Sequence, residues 1–269
     1  STQGNLATLL HRGVEVIDAG DGPLASGLSG KGRMAEPEDI ADAAEAHFAR
    51  LAPLRNRRVV VTLGPTHEPI DAVRLVGNRS SEKMGLALVN ALLLRGAEVH
   101  VIAGPVAFGP PSGVASWTSV ETALEMFSAA MPTFASADVG IAVAAVADAR
   151  PAQPATRKLH KDELPNAIEL VSNPDILHTW GQQKQPHQIL IGFALESDDG
   201  IRSAKRKLDK KNLDFVVLNQ LSDDGAGFQT DTNKVSLVTK GGEVHKFGLK
   251  SKADVAEDIL NHLMTLLTP

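Results

Sequence analysis

Gly64-Pro65-Thr66-His67-Glu68-Pro69-Ile70-Asp71-Ala72-Val73-Arg74-Leu75-Val76-Gly77-Asn78-Arg79-Ser80-Ser81-Glu82-Lys83-Met84-Gly85 is the run around which the rest of the chain is organised. Arg58-Val59-Val60-Val61-Thr62-Leu63 precedes it, an apolar β-branched segment suited to a buried strand, and an amphipathic segment over about 81–95 follows. Strand, long polar loop and helix in that order put the loop at the carboxyl end of its strand, where open α/β sheets bind ligands. Ser80 and Ser81 suit an N-cap, so the amides after them, with the positive helix end, could receive an anion. Arg74 can pair bidentately with a carboxylate or phosphate, and Asn78 offers both a donor and an acceptor. A capped loop with solvated charges explains any one of these residues alone; their combination points to a ligand.

Beyond that loop, strand and helix patterns alternate. Residues 97–103 read as a strand that Gly104-Pro105 ends. Thr118 or Ser119 is expected to cap a helix that stops before Pro132 or is interrupted there. Residues 139–146 are apolar throughout, as in a parallel strand covered on both faces. Three such βα units imply an α/β fold, a Rossmann-like, mostly parallel sheet flanked by helices and joined by right-handed crossovers. Further strands are expected over 168–171, 189–194 and 214–219, with a hairpin of 233–238 and 244–247 around Gly241-Gly242. Helices are expected from Asn173 as N-cap with Pro174 first in the helix, over 201–212, and over 251–267 with Ser251 as cap and Asp254 at N3. Gly225 to Phe228 reads as a flexible turn.

Asp148 directly follows the third strand, where it could accept from a ligand hydroxyl or amine, help hold Mg²⁺, or simply cap a turn. The segment 150–161 carries Pro151 and Pro154, which bar it from a central strand or helix interior, and it suits a flap bringing Arg157, Lys158 or Lys161 over an anion. A charged loop in solvent explains it almost as well. Lys207 and Lys211 stand four apart on one helix face, for which solvation is the commoner explanation.

The 269 residues suffice for a sizeable core, with 43% hydrophobic and 22% charged residues, as in an ordinary globular chain. No run approaches the roughly 20 apolar residues of a membrane span and no signal peptide opens the sequence, so a cytoplasmic, non-membrane protein is expected. The 27 basic and 32 acidic side chains give a formal charge of -5, which argues against broad nucleic-acid binding. With no Cys, disulfides, thiolate metal sites and a cysteine nucleophile are excluded, and the nine His residues form no HExxH-like spacing. Residues 1–49 do not read as the start of a fold: a Gly-rich piece from Gly20 to Gly32 lacks a GxGxxG and suits a mobile loop. A helix then begins near Pro37. The main domain is expected over 50–269.

Taken in order, the motifs resemble those of phosphopantothenoylcysteine synthetase, a coenzyme A pathway ligase whose signature runs approximately GPTxExID-x-VRxIxNxSSGKMG. The central loop, Ala144-Ala145-Val146-Ala147-Asp148, Lys158, Asn173-Pro174-Asp175-Ile176-Leu177, Gly192-Phe193-Ala194 and the Lys207/Lys211 helix carry the likeness from about Arg58 onward. Asn5-Leu6 and the 30–37 run Gly-Lys-Gly-Arg-Met-Ala-Glu-Pro resemble the tail of the decarboxylase domain fused ahead of the synthetase in many bacteria. The resemblance implies a ligase joining 4'-phosphopantothenate to L-cysteine through an acyl-cytidylate, with CTP as substrate, Mg²⁺ as helper, a homodimer, and a fused or associated decarboxylase domain. No flavin and no decarboxylation are expected of this fragment.

By the same resemblance, Asn78 and Arg74, with Ala145, would hold the pantothenate part and stabilise the acyl intermediate. Lys158, Lys207 and Lys211 would neutralise the triphosphate, Lys158 also acting in catalysis. Ala142, Val143, Ala144, Asp148, Pro174, Asp175, Ile176, Leu177 and Phe193 would hold the nucleotide. The sequence departs from the pattern at Glu82, usually Gly, and at Leu63, usually small. A carboxylate at a helix start suits the dipole but repels a phosphate bound at the same amides. Glu82 therefore favours one alternative, a non-catalytic regulatory or assembly relative. A dinucleotide-dependent oxidoreductase is disfavoured, because Gly64 has no GxGxxG partners.

Overall fold

The computed structural model describes residues 2–23, 29–196, 199–220 and 230–267, and the chain divides into two compact units, Ser1–Pro53 and Leu54–Pro269. In the first, α1 (Thr2–His11) precedes an antiparallel ribbon of β1 (Gly20–Pro23) and β2 (Ser29–Arg33), then α2 (Pro37–Leu51). Pro37 opens α2, with Glu38 and Asp39 in its first turn favouring the helix dipole. The Gly-rich piece expected as a loop thus pairs with itself, Gly22 opposite Gly30. Helix α1 buries none of its residues, so no apolar stripe announces it in the sequence.

The second unit is built on an eight-stranded sheet. Its strands are β3 (Arg58–Leu63), β6 (Glu98–Ala103), β7 (Ser116–Ser119), β8 (Val139–Ala142), β11 (Ile189–Glu196), β12 (Phe215–Gln220), β14 (Val235–Thr239) and β15 (Val244–Lys246), in the order β15-β14-β12-β11-β8-β3-β6-β7. Strands β7 to β12 in that array are parallel, and the β14–β15 hairpin closes one edge antiparallel. Alternation along the strands feeds two cores. Val59, Val61 and Leu63 face α3 (Lys83–Leu94) and α7 (Lys252–Leu267), whereas Val60, Ile102 and Leu190 pack with α4 (Ala123–Ala135), α5 (Ile176–Gln183) and α6 (Gly200–Lys210). Three small ribbons complete the unit: β4 (His67–Pro69) with β5 (Leu75–Gly77), β9 (Ala149–Pro151) with β10 (Leu170–Ser172), and β13 (Thr232–Asn233) with β16 (Lys250–Ser251).

Several sequence expectations are corrected. Thr118 and Ser119 belong to β7; α4 starts later, capped by Thr122, whose hydroxyl accepts from the Glu125 amide while Glu125 reaches back to the Thr122 amide. Pro132 lies inside α4 without ending it. Asp175, not Asn173, caps α5, accepting from the His178 amide at 2.9 Å. Asn173 instead donates to the Ala147 carbonyl and accepts from Arg150. Neither Ser80 nor Ser81 caps α3: its N-cap is Glu82, left-handed at φ 58, with no side-chain cap bond. The third strand ends at Ala142, although pairing continues as a bridge between Pro65 and Ala145. The turn expected at Gly225–Phe228 lies outside the described residues.

Candidate functional site

From β3 the chain crosses to β6 and β7 on one side, then returns to β8 and on to β11 and β12 on the other. A crevice therefore opens beyond the carboxyl ends of β3 and β8. Gly64 makes the turn out of β3 at φ 82, a conformation that costs a side-chain-bearing residue about 1–2 kcal/mol. The loops after β3 and β8 are tied together: the Ala145 amide donates to the Gly64 carbonyl at 2.8 Å, and the buried Thr66 hydroxyl accepts from the Ala147 amide at 3.0 Å. Asn78 bridges the same loops, its side-chain amide donating to the Val146 carbonyl at 2.9 Å.

Two adjoining cavities occupy the crevice. The larger, about 620 Å³, is lined by Gly64, Asn78, Ser80, Ser81, Glu82 and Gly85 from the first loop and helix, and by Val143, Ala144, Ala145 and Asp148 from the second loop. Phe193, Lys207, Asn219, Asn233 and Lys252 also line it. The smaller, about 260 Å³, is bounded by Ala142, Pro174, Asp175, Ile176, Leu177 and Lys211, and shares Ala144, Asp148, Phe193 and Lys207 with the larger. Side chains that are far apart in sequence thus meet at one sheet edge.

Arg74 and Lys158 line neither cavity. The Arg74 guanidinium pairs with buried Asp71, which also accepts from the Val73 and Arg74 amides at 2.8 Å and from the Leu159 amide at 3.2 Å. Burial would raise the Asp71 carboxyl, but these amides and the guanidinium together hold it down at about 2. Arg74 and Asp71 thereby pin the β4–β5 ribbon to the 152–169 connection. Lys158 is exposed on that connection, and its neighbour Arg157 is engaged by Glu163 at 2.6 Å rather than by a cavity.

The basic face of α6 is built into the site. Lys207 is largely withdrawn from solvent and donates to the Phe193 carbonyl, and burial together with the neighbouring Lys211 lowers its pKa. Lys211 pairs with Asp175 at 2.7 Å; burial would raise Asp175, yet that ammonium and the His178 amide hold it below the usual carboxylate range. Asn219, Asn233 and Lys252 are among the lining residues to which the sequence alone assigns no role. The Asn219 Oδ1 is buried in the larger cavity and has no hydrogen-bond partner among the described residues. Lys252, 6% exposed, heads the buried stripe of α7, and burial and the neighbouring Lys83 lower its pKa.

The model of the DNA/pantothenate metabolism flavoprotein C-terminal domain matches residues 54–267. The chain belongs to this family. A protein of an unknown prokaryotic organism named cysteine/cysteine sulfinic acid decarboxylase is 43% identical over 99% of this chain and 76% of its own length. The coenzyme A biosynthesis bifunctional protein CoaBC of Bacillus subtilis is 41% identical over 97% of this chain, which spans 65% of that protein. The crystal structure of a CoaBC C-terminal domain superposes with a TM-score of 0.69 at 38% identity, covering 80% of this chain and 98% of that domain. The family match begins at residue 54, where the second compact unit begins. Among the described residues, no helix is long and apolar enough to cross a membrane.

Proposed function

We propose that this family member is a phosphopantothenate–cysteine ligase that makes phosphopantothenoylcysteine in coenzyme A biosynthesis. The observation that carries the reading is the convergence of Asn78, Ala145, Asp148, Phe193 and Lys207, drawn from four separate motifs, on one 620 Å³ cavity in a chain about 40% identical to CoaBC proteins. A carboxylate is a poor acyl donor. In the first step a carboxylate oxygen of phosphopantothenate attacks the α-phosphorus of CTP, the bond to the β-phosphate breaks, and pyrophosphate departs. The cysteine amine then attacks the acyl carbon and loses a proton, and CMP leaves.

The residues divide this work by position. Asn78, braced on the Val146 carbonyl, lines the larger cavity and is assigned to hold the acyl oxygen as charge develops. The smaller cavity, floored by Pro174–Leu177 with Phe193 at its border, is assigned the nucleoside, and Lys207 and Lys211 its phosphates. Arg74 is kept as a positioning residue, because Asp71 already holds it. For Mg²⁺ the donor set fits a substrate-held ion: Asp148 is an exposed carboxylate common to both cavities, and such ions take one or two protein carboxylates with substrate phosphates. When bound, the ion would neutralise charge on phosphoryl oxygens.

A homodimer is part of the proposal. Val73, Leu75, Ile168 and Leu170 leave apolar side chains exposed on the β4–β5 and β9–β10 ribbons and the segments beside them, a surface suited to a second copy. The relative named for decarboxylation shares the same span, yet a cavity with two buried-side lysines suits phosphorylated ligands better than free cysteine. The test is pyrophosphate release with 4'-phosphopantothenate, cysteine and Mg²⁺, in parallel with CTP and ATP, beside carbon dioxide release from cysteine alone. Phosphopantothenate-dependent release, faster with CTP and lowered about 100- to 1,000-fold in Asn78→Ala, is the expected result. Folded protein that releases no pyrophosphate with either nucleotide would overturn the reading.

A further inference from the structure

The loops after β3 and β8 are held side by side by a hydrogen-bond ladder that outlasts both strands. The Val143 amide donates to the Thr62 carbonyl at 3.1 Å, and the Ala145 amide donates to the Gly64 carbonyl at 2.8 Å. Both bonds keep the register of the parallel pair, in which Thr62 stands beside Ala142 and Pro65 bridges to Ala145. Two residues on, the first loop has turned into the β4–β5 ribbon. The Thr66 carbonyl now lies against Gly77, where a Cβ would stand 2.9 Å from its oxygen. The Thr66 hydroxyl takes the place of that carbonyl and accepts from the Ala147 amide at 3.0 Å. This rung is made by a side chain, and Thr66 is fully buried and lines neither cavity.

The amide that Thr66 holds belongs to the same planar, trans peptide unit as the Val146 carbonyl, and in such a unit the N–H and C=O point opposite ways. Asn78 donates to that carbonyl at 2.9 Å. The unit is therefore gripped from both sides and cannot rotate at one end without rotating at the other. Without the hydroxyl, a buried amide would lose its partner. Turning the unit toward water in the crevice would relieve it, and would carry the Val146 carbonyl away from Asn78. Asn173 holds the Ala147 carbonyl at 2.9 Å, which fixes the next peptide unit rather than this one. We propose that Thr66 is a positioning residue that acts through Asn78, its hydroxyl fixing the peptide on which the Asn78 side chain is braced. The reaction it serves rests on the ligase reading; the bond itself rests on geometry alone.

The experiment joins kinetics to amide hydrogen exchange on the full chain, each variant checked for folding by circular dichroism. Thr66→Val swaps the hydroxyl for a methyl group, and Thr66→Ser keeps it. Pyrophosphate release is measured with 4'-phosphopantothenate, cysteine, Mg²⁺ and CTP, each substrate varied in turn. Thr66→Val is expected to lower kcat about 10- to 100-fold, leave KM for CTP within about twofold and speed exchange of the Ala147 amide, and Thr66→Ser to restore all three. In an Asn78→Ala chain, Thr66→Val should cost less than about threefold more, because the group it positions is gone. Wild-type kcat in folded Thr66→Val overturns the proposal, as does an equal fold-loss with and without Asn78, or a Thr66→Ser no better than Thr66→Val. Should Thr66→Val fail to fold, exchange in the wild type decides: protection of the Ala147 amide like that of Ala145 upholds the rung, and exchange at loop rates overturns it. A wild type that releases no pyrophosphate refutes the ligase instead. The rung then stands if Ala147 exchange quickens in Thr66→Val and not in Thr66→Ser, and falls if neither changes.

Discussion

Glu82 is where backbone geometry and charge can be separated by experiment. As N-cap of α3 it holds φ 58 and ψ -14, and its side chain makes no cap bond. The left-handed conformation costs a non-glycine residue about 1–2 kcal/mol. Glycine removes that strain but loses about 0.5–1 kcal/mol through its greater freedom when unfolded. The favourable interaction of a carboxylate with the helix start, about 0.3–1 kcal/mol, disappears as well. These terms nearly cancel, so Glu82→Gly should leave the urea midpoint almost unchanged. Glu82→Gln keeps the strain, loses the charge, and should be slightly destabilised.

Binding should respond differently. A unit charge ~8 Å from another contributes about 0.5 kcal/mol in bulk water and about 2 kcal/mol at an effective dielectric near 20. On the ligase reading, a phosphoryl group bound at the start of α3 would make both substitutions lower the KM of that substrate by about 2- to 30-fold and leave KM for cysteine, net neutral, unchanged. Steady-state pyrophosphate release with each substrate varied in turn measures this. Improvement in Glu82→Gly alone would assign the effect to the backbone. No change in either variant would refute the claim that this carboxylate opposes a phosphoryl group.

Other outcomes follow from the same geometry. A Cβ on Gly85 would stand 2.6 Å from Leu63 Cβ, so Gly85→Ala should cost about 1–3 kcal/mol in chemical denaturation, and Leu63→Ala in the same chain, which keeps that Cβ and empties part of the core, should not return the loss. Asp71, held at about 2, contributes stability that is present above the ordinary carboxylate pKa of about 3.9 and lost as pH falls toward 2. Urea midpoints taken between pH 5 and 2 should accordingly fall more steeply for wild type than for Asp71→Asn; parallel curves would show that the ribbon anchor carries no pH-linked stability. Lys207→Met should raise the KM for nucleotide about tenfold or more while leaving that for the acid within about twofold, measured by varying each substrate separately.

The parallel sheet was legible because its strands are short apolar β-branched runs, as at Val59–Val61 and Val139–Ile141, which only a sheet covered on both faces can bury. That the central loop would line a crevice was legible because Asn78 and the serines crowd a strand-to-helix junction, and the structure puts all three on the larger cavity. Helix starts were less so. Thr118, Ser119 and Thr122 are all plausible caps, and only the reciprocal bond with Glu125 selects Thr122. Arg74 looked free to meet an anion; nothing local says that Asp71 is buried and takes its charge. Lys252 left a signal that could have been used. It stands at the head of the stripe Lys252, Val255, Ala256, Ile259, Leu260 and Leu263, and a lysine on the buried face of a helix is seldom idle. Asn219 gave none, since what marks it is a buried side-chain oxygen without a partner among the described residues, which appears only in three dimensions.

The pairing of α7 with α3 has a consequence for assembly. Lys252 meets Ser81 across 171 residues of chain, and α7 is the last of the described elements in sequence order. Contacts between residues so far apart in sequence slow folding in general, and we predict that α7 docks after the strands it covers, which amide exchange during refolding would test. A partly folded chain that has formed β3 to β12 would already hold the pocket bounded by Pro174, Phe193 and Lys211, yet lack one wall of the larger cavity. The smaller pocket would then mature before the larger cavity, and on the ligase reading nucleotide binding would report the first and turnover the second.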